Sequence, residues 1–284
     1  MPSQVGSTKL RDGTRVLTRH WEVDAPSPRA AVLIVHGLGE HCGRYEHVGD
    51  RFAAVGMAVF SWDLRGFGAS EGERAYVDRW AQFHDDVEDR LAYVRATVAS
   101  DLPVVLYGHS MGGLIALGYC VDDRPQPNLL VLSAPGIDDD LAAWKRAAAP
   151  ILARFAPRLR IANGVRSSML SRDRARQEAA DHDPLMLGSS TTRFGALAFA
   201  AQPRVRAAID RLAVPTLVIH GLDDPVVPAR ATEALGALPN VTRRTYPGVR
   251  HELHNEPEGP GVLDDVVAWI DAQLPILAGP RAGV

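Results

Sequence analysis

The sequence has few cysteines and no long apolar run. Of its 284 residues only two are cysteine, Cys42 and Cys120, too few for a disulfide framework or a four-thiolate metal site. No stretch of about 18 apolar residues is present to cross a bilayer, and the N-terminus lacks the basic and apolar regions of a signal peptide. We therefore expect a soluble, cytoplasmic protein.

An excess of charge of either sign is also missing. The 31 basic and 34 acidic residues give a formal net charge of −3, which leaves no overall field to gather nucleic acid. With 46% hydrophobic and 23% charged residues, the composition is typical of a folded globular protein rather than a disordered chain. We expect a large apolar core and no nucleic-acid partner.

Short apolar runs bounded by glycine or charged residues recur along the chain, as expected of buried parallel strands. These runs are 31–35, 57–62, 103–107, 129–132, 216–219 and 241–246. Helical spacing between them, for example over 80–98 and 111–121, predicts a doubly wound, mostly parallel α/β sheet with ligands at the carboxyl ends of the strands. An opening hairpin is predicted around Asp12-Gly13, a dipeptide that favours a type I′ turn.

The alternation stops between Gly136 and Gln202, where no strand is evident. We predict a helical cap, or lid, over 137–202, inserted into a core formed by 1–136 and 203–284. Within the cap, 141–155 has amphipathic helical spacing. Its apolar stripe comprises Leu141, Trp144, Ala148, Ile151, Leu152 and Phe155, with Arg146, Pro150 and Arg154 opposite.

Two interpretations of this stripe are open. It can be a face buried against the core, which is the commoner arrangement, or the surface of a mobile lid that touches lipid. The second is favoured by flanking basic residues, namely Lys145, Arg146, Arg154, Arg158 and Arg160. Peripheral contact with a membrane through the lid is therefore a hypothesis.

The strongest local signal is Gly108-His109-Ser110-Met111-Gly112, directly after one predicted strand and before a helical stretch. In this context G-x-S-x-G is the nucleophile elbow. Glycines two residues either side of Ser110 remove clashes in the tight turn, so that its hydroxyl projects above the sheet. The helix that begins at Met111 adds an amino-terminal dipole and an unpaired N–H that favour a developing negative charge.

A serine nucleophile needs a base and a carboxylate, which follow it in the order acid, then histidine, in this fold. The loops after the last two predicted strands supply them: Asp223 and Asp224 in the first, His251 and His254 in the second. We prefer Asp224 partly because Asp223 suits a turn-capping role and partly because of the family resemblance given below. We prefer His251 because it lies nearer the end of its strand.

The loop after the strand at 31–35 is expected to supply a second donor for a carbonyl oxygen. It has the sequence His36-Gly37-Leu38-Gly39-Glu40, whose glycines let the backbone approach a substrate closely. The candidate oxyanion donors are the N–H groups of Leu38 and Met111.

Four segments together resemble the monoacylglycerol lipase family, in its bacterial branch. They are HGLGEHCGRY at 36–45, DLRGFGAS at 63–70, GHSMGG at 108–113 and YPGVRHE at 246–252. The resemblance implies an α/β-hydrolase fold with a cap, and Ser110, Asp224 and His251 as the catalytic triad. It also implies a supporting network of Glu40, Arg44 and His254. A glutamate and an arginine four residues apart can pair and hold the oxyanion loop in place.

The activity implied by the resemblance is hydrolysis of monoacylglycerols, or similar single-chain esters, through an acyl-enzyme on Ser110, without a metal or an organic cofactor. The alternatives are a lysophospholipase or general carboxylesterase, which would use the same triad, and a hydrolase-like lipid-binding protein without activity. The resemblance weakens over 137–168, the segment expected to decide which acyl chain and head group enter.

Overall fold

An eight-stranded sheet forms the centre of the computed structural model, which describes residues 3–23 and 27–277. The strands of the chain are β1 (Gln4–Lys9), β2 (Arg15–Trp21), β3 (Ala30–Val35), β4 (Met57–Trp62), β5 (Val104–His109), β6 (Leu129–Ser133), β7 (Arg160–Ala162), β8 (Ser189–Thr191), β9 (Thr216–Gly221) and β10 (Val241–Tyr246). The order in the main sheet is β1-β2-β4-β3-β5-β6-β9-β10, with β2 antiparallel to both of its neighbours and all other pairs parallel. The predicted mostly parallel α/β sheet is confirmed, and every predicted strand lies in it.

Helices cover both faces of this sheet. They are α1 (Glu46–Ala54), α2 (Ala81–Thr97), α3 (Met111–Cys120), α4 (Ala143–Phe155), α5 (Ser167–Leu170), α6 (Arg174–His182), α7 (Thr192–Arg206), α8 (Glu233–Gly236) and α9 (Gly259–Leu277). Because alternate strand residues point to opposite faces, the sheet buries two apolar layers. Leu33 and Leu106 face the layer that includes α2 and α3, whereas Val32 and Tyr107 face the layer that includes α1 and α9.

The turn between β1 and β2 differs from the predicted type I′ turn. That turn requires two residues with positive φ, but in this turn only Gly13 has one, at +87°. The Gly13 N–H donates to the Leu10 carbonyl at 2.8 Å, and the Leu10 N–H donates to the Thr14 carbonyl at 2.9 Å. This is a type I turn closed by a glycine bulge. The Asp12 carboxylate accepts from the Thr14 N–H, which stabilises the turn.

The insertion at 137–202 contains α4 to α6, the strands β7 and β8, and the first part of α7. The expectation that it has no strand is wrong, because β7 and β8 pair antiparallel over three residues each. Such short strands leave too little alternation to be recognised in sequence. The expected boundary at 202 falls within α7, whose Phe194 and Val205 pack into the core.

The interpretation of the apolar stripe of α4 as a buried face is wrong. Phe155 is 80% exposed and Trp144 is 69% exposed. The helix packs on α7 through its other face, where Ala153 is buried and Arg146 donates to Gln202 at 2.9 Å. Spacing identifies the apolar side of a helix but not the side that packs on its neighbour. A small side chain, Ala153, lets α4 pack on α7 with the apolar stripe facing outward.

Candidate active site

Ser110 lies in a sharp turn between the end of β5 and the start of α3, with a φ of +52° that is strained for a non-glycine residue. A Cβ at Gly108 would lie 2.5 Å from the Gly112 carbonyl oxygen. One at Gly112 would lie 2.1 Å from the Val35 carbonyl oxygen. Both positions therefore require glycine, and the turn holds the Ser110 hydroxyl at the carboxyl edge of the sheet.

Two hydrogen bonds join Ser110, His251 and Asp224. His251 Nε2 lies 2.8 Å from Ser110 Oγ, and His251 Nδ1 lies 2.7 Å from Asp224 Oδ2. The carboxylate can only accept, so the imidazole hydrogen is on Nδ1 and Nε2 is free to take the serine proton. The three side chains come from the ends of β5, β9 and β10, which meet at one edge because parallel strands end there.

The same carboxylate also closes its own loop. Asp224 Oδ1 accepts from the N–H groups of Val226 at 2.8 Å and Val227 at 2.9 Å. The turn-capping role that the sequence suggested for Asp223 thus belongs to Asp224. Burial by itself would raise the pKa of Asp224. The positive charge that His251 can carry, the contacts with the His220 and His251 rings and the hydrogen bond from the Val227 N–H together outweigh burial and lower the pKa. Asp224 is therefore an anion over the physiological range of pH.

His251 is almost fully buried, at 2% exposure. Burial by itself lowers the pKa of His251, but the negative charge of Asp224 and the hydrogen bond to it have the larger combined effect. Glu252 and Glu40 add to that effect, and the pKa is raised above its ordinary value. An imidazolium on His251, which would form if His251 took the Ser110 proton, is stabilised by these groups.

The backbone N–H groups of Leu38 and Met111 have no hydrogen-bond acceptor within residues 3–23 and 27–277. Met111 is the first residue of α3, and Leu38 lies in the loop after β3. A Cβ at Gly37 would lie 3.2 Å from Ser110 Cβ, so this loop runs alongside the serine. Two free donors beside a nucleophile suit the stabilisation of an oxyanion.

Glu40 stabilises the loop after β3 (residues 36–40, the oxyanion loop) through two hydrogen bonds. Its Oε1 accepts from the Gly37 N–H, and also from the Tyr45 hydroxyl at 2.7 Å. The Glu40 side chain is only 3% exposed, so the ion pair expected with Arg44 is buried rather than solvated. It is also a long pair, with 3.8 Å between Arg44 Nη1 and Glu40 Oε2.

The shorter contact of Arg44 is with a residue that the sequence did not single out. Arg44 Nη2 donates to Glu252 Oε2 at 2.7 Å, and the same oxygen accepts from the Asn255 amide at 2.8 Å. Burial and the nearby charge of Glu40 raise the pKa of Glu252, although Arg44 opposes them. The Arg44 guanidinium therefore pairs with two buried carboxylates, those of Glu40 and Glu252.

His254 lies beside this network without a hydrogen bond from its ring. In the part of the chain that the structure describes, neither of its ring nitrogens has a hydrogen-bond partner, although the residue is buried. Its ring stacks on Tyr45, with centroids 4.9 Å apart, and contacts the edge of His109 at 5.1 Å. His254 therefore contacts the network only by packing. Burial lowers the pKa of His254 well below its ordinary value.

Two further buried histidines of the site, His109 and His220, were not singled out in the sequence. His109 is the residue before the serine, and its ring centroid lies 4.9 Å from that of His251. His220 is the penultimate residue of β9, and its Nε2 lies 3.3 Å from Asp224 Oδ2. The signal for the second was its spacing of four residues before Asp224 at the same strand end.

The insertion contacts the oxyanion loop directly. The Leu187 N–H donates to the Gly39 carbonyl at 2.7 Å, and His41 Nε2 lies 2.7 Å from Asp183 Oδ2. Gly39 has a φ of +75°, and a Cβ there would lie 2.5 Å from the Leu187 carbonyl oxygen. The segment around Leu187 is therefore fixed against the loop that carries Leu38.

Within the described residues, no group of three or more histidine, cysteine, aspartate or glutamate side chains could hold a metal ion. In the same part of the chain, no helix is long and apolar enough to cross a bilayer.

Comparisons with known proteins show what this arrangement resembles. The family described as "Serine aminopeptidase, S33" matches residues 26–258. The monoacylglycerol lipase of Mycolicibacterium smegmatis is 34% identical over 92% of this chain and 95% of its own. The phospholipase YtpA of Bacillus subtilis is 29% identical over 89% of this chain and 100% of its own. A soluble variant of the monoglyceride lipase of Saccharomyces cerevisiae, solved with a substrate analog, has the same fold, with a TM-score of 0.85 and 23% identity over 96% of each chain.

Proposed function

This chain belongs to the serine aminopeptidase S33 family, and we propose that it is a serine hydrolase that cleaves monoacylglycerols into fatty acid and glycerol. The observation that carries the proposal is the hydrogen-bonded line from Ser110 through His251 to Asp224, beside two free backbone donors. The similarity to a monoacylglycerol lipase over 92% of the chain supports the substrate.

In the proposed reaction, Ser110 Oγ attacks the ester carbonyl while His251 Nε2 takes the hydroxyl proton. The oxyanion accepts hydrogen bonds from the N–H groups of Leu38 and Met111, and one such donor typically contributes about 3–4 kcal/mol to the transition state. The imidazolium then gives its proton to the leaving glycerol. Water, activated by the same histidine, hydrolyses the acyl-enzyme and releases the fatty acid.

Asp224 and the buried network have supporting roles in this proposal. Asp224 holds the His251 ring in one tautomer and stabilises its charged form. Glu40 holds the Gly37 N–H, and thereby the loop in which Leu38 lies. Arg44 joins that loop to Glu252, the residue after the base, and His254 fills the space beside them. No step of this mechanism draws on a cofactor.

The test is fatty-acid release from monooleoylglycerol, from a triolein emulsion and from lysophosphatidylcholine, each with the wild-type chain and with Ser110→Ala. We expect release from monooleoylglycerol alone, and its loss in the variant. Ser110→Ala leaves the turn and the glycines in place, so a folded but inactive variant identifies the nucleophile. Release that survives in Ser110→Ala would overturn the proposed mechanism.

The second candidate is a lysophospholipase or general carboxylesterase. It is favoured by the likeness to the phospholipase of Bacillus subtilis, which extends over the whole of that protein. Faster release from lysophosphatidylcholine than from monooleoylglycerol would establish it. Release from no ester by a folded protein would instead favour a hydrolase-like lipid-binding protein.

We also propose that residues 137–202 form a cap that touches a lipid surface through the outer side of α4. Its exposed apolar side chains are Trp144, Ile151, Leu152 and Phe155, and Leu159 and Ile161 continue the surface. Arg154 and Lys145 flank it, so anionic lipids would be attracted as well. Such a surface gives a substrate that resides in membranes a direct route to the site.

Vesicle sedimentation tests this contact with three chains: the wild type, the double variant Ile151→Ser/Phe155→Ser, and Ile276→Ser as a control. Ile276 is 71% exposed on α9, outside the cap. We expect the wild type and the control to bind vesicles of phosphatidylcholine and phosphatidylglycerol, and the double variant to lose most binding. Equal sedimentation of all three, or a wild-type dimer whose interface needs Phe155, would contradict the proposal.

A further inference from the structure

A second histidine, besides His251, contacts the carboxylate of the proposed triad. His220 is fully buried, and its Nε2 lies 3.3 Å from Asp224 Oδ2 and 3.0 Å from the Val227 carbonyl oxygen. Asp224 Oδ2 also accepts from His251 Nδ1 at 2.7 Å. This single oxygen therefore contacts two imidazole rings.

The neighbours of His220 show which of its two ring nitrogens carries the hydrogen. A carbonyl oxygen can only accept, so the contact with Val227 requires the hydrogen on Nε2. On the other side of the ring, the bare Nδ1 lies 3.3 Å from Thr232 Oγ1. That hydroxyl accepts from Arg243 Nε at 3.0 Å and donates to the Ala229 carbonyl oxygen at 3.0 Å. The Nε2 hydrogen therefore points to the Val227 carbonyl oxygen, and Asp224 Oδ2 lies 3.3 Å from the same nitrogen.

We propose that His220 is a positioning residue of the reaction, which supplies the fourth hydrogen bond to Asp224 and limits the attraction of that carboxylate for the proton on His251. The other three donors are the N–H groups of Val226 and Val227, and His251 itself. A donor to Oδ2 draws negative charge from that oxygen. The carboxylate then attracts the proton on His251 less strongly than it would without this donor. The inference rests on the roles proposed above for Asp224 and His251.

Other titratable and charged groups face the same two residues. His109 on β5, Glu252 after β10 and Glu40 after β3 all lie near His251. Arg243 on β10 reaches His220 through Thr232, on the side of the ring away from Asp224. A substitution confined to His220 leaves all four in place, so that the change it causes can be assigned to the donor itself.

Two substitutions at position 220 separate the donor from the bulk of the ring. The amide nitrogen of glutamine reaches the position of histidine Nε2, whereas that of asparagine reaches only the position of Nδ1. His220→Gln therefore keeps a donor toward Asp224, and His220→Asn removes it. The measurement is the dependence of kcat/KM on pH from 5 to 9 for p-nitrophenyl butyrate, a water-soluble ester, with active sites counted by a fluorophosphonate.

We expect the acid limb of the profile to move to higher pH in His220→Asn by about half a unit, which corresponds to a roughly three-fold change in proton affinity. The profile of His220→Gln stays at that of the wild type. A residue that only filled space would lower the number of active sites without moving the limb. An unmoved limb in folded His220→Asn, or a limb moved equally by both substitutions, overturns the inference.

A measurement on the wild type guards against an asparagine variant that does not fold. The ¹⁵N NMR shifts of the His220 ring, assigned by their absence in His220→Gln, distinguish a protonated from a bare nitrogen. We expect a protonated Nε2, and a bare Nε2 would overturn the inference. A wild-type chain that does not hydrolyse the soluble ester overturns the proposed function first, and this inference with it.

Discussion

Arg44 Nη2 donates to Glu252 Oε2 at 2.7 Å across 208 positions of the chain, which joins the oxyanion loop to the residue directly after His251. Both side chains are nearly inaccessible, at 9% and 3% exposure. Because Arg44 also faces Glu40, this cation offsets two buried negative charges. The contact links the loop that carries the proposed oxyanion donor Leu38 to the loop that carries the proposed base His251.

Replacement of Arg44 by methionine is expected to lower the free energy of unfolding by about 3–5 kcal/mol, because it leaves two carboxylates buried without their cation. Urea unfolding followed by tryptophan fluorescence measures the loss. The control is Arg51→Met, since Arg51 pairs with the exposed Asp264 and its loss should cost at most about 1 kcal/mol. Equal losses in the two variants would contradict the proposed role of the pair.

Replacement of Glu252 by glutamine is expected to move the acid limb of the kcat/KM profile to lower pH. The charge of Glu252 helps to raise the pKa of His251, so its removal lowers that pKa and lets the neutral base persist into more acidic solution. The matched control is Asp264→Asn, which removes an exposed carboxylate of α9. A limb that moves upward, or not at all, would show that Glu252 does not act on His251.

Replacement of Asp224 by asparagine should reduce kcat by about 10⁴-fold, because an amide no longer fixes the hydrogen of His251 on Nδ1. The adjacent Asp223→Asn should leave kcat unchanged, since Asp223 is exposed and its carboxylate makes no hydrogen bond or ion pair within the described residues. Steady-state kinetics on a soluble ester compares them. A larger loss in Asp223→Asn would reverse the assignment of the acid.

Replacement of Gly112 by alanine should destabilise the fold by about 3 kcal/mol or more, because its Cβ would lie 2.1 Å from the Val35 carbonyl oxygen. Gly261→Ala is the control: nothing lies within 4 Å of a Cβ there, on the exposed first turn of α9. That change should be neutral or raise stability by up to about 1 kcal/mol. Thermal unfolding of both variants compares them, and similar melting temperatures would contradict the steric argument.

The positions of Ser110 and His251 could be predicted because each rests on local rules. The choice of Asp224 over Asp223 rested partly on the family resemblance, since the turn-capping role expected of Asp223 belongs to Asp224. Glycines flank the serine at fixed offsets, and both partners follow the carboxyl end of a strand. Parallel strands bring such ends together whatever the details of the packing. A short-range pattern therefore predicted the contact between Ser110 and His251, which are 141 positions apart.

Other features depend on three-dimensional packing that no local pattern contains. Glu252 follows His251 in the sequence, but its partner Arg44 is distant, and nothing nearby indicates the pairing. The apolar stripe of α4 was visible, whereas its outward direction depends on how closely Ala153 lets the helix approach α7. His220 precedes the acid in the chain, whereas the chain-order rule selects a base that follows the acid, so that rule could not indicate a histidine that contacts the acid.

The bond between the Leu187 N–H and the Gly39 carbonyl bears on how such enzymes can be recombined. A cap that only covered a site could be exchanged for that of a relative as an independent module. Here the transplanted segment would also have to present an N–H to Gly39 and a carboxylate to His41. We therefore expect chimaeras that exchange only α4 to retain turnover, because residues 183–187 stay with the oxyanion loop of the same protein. Chimaeras that exchange the whole cap should lose turnover.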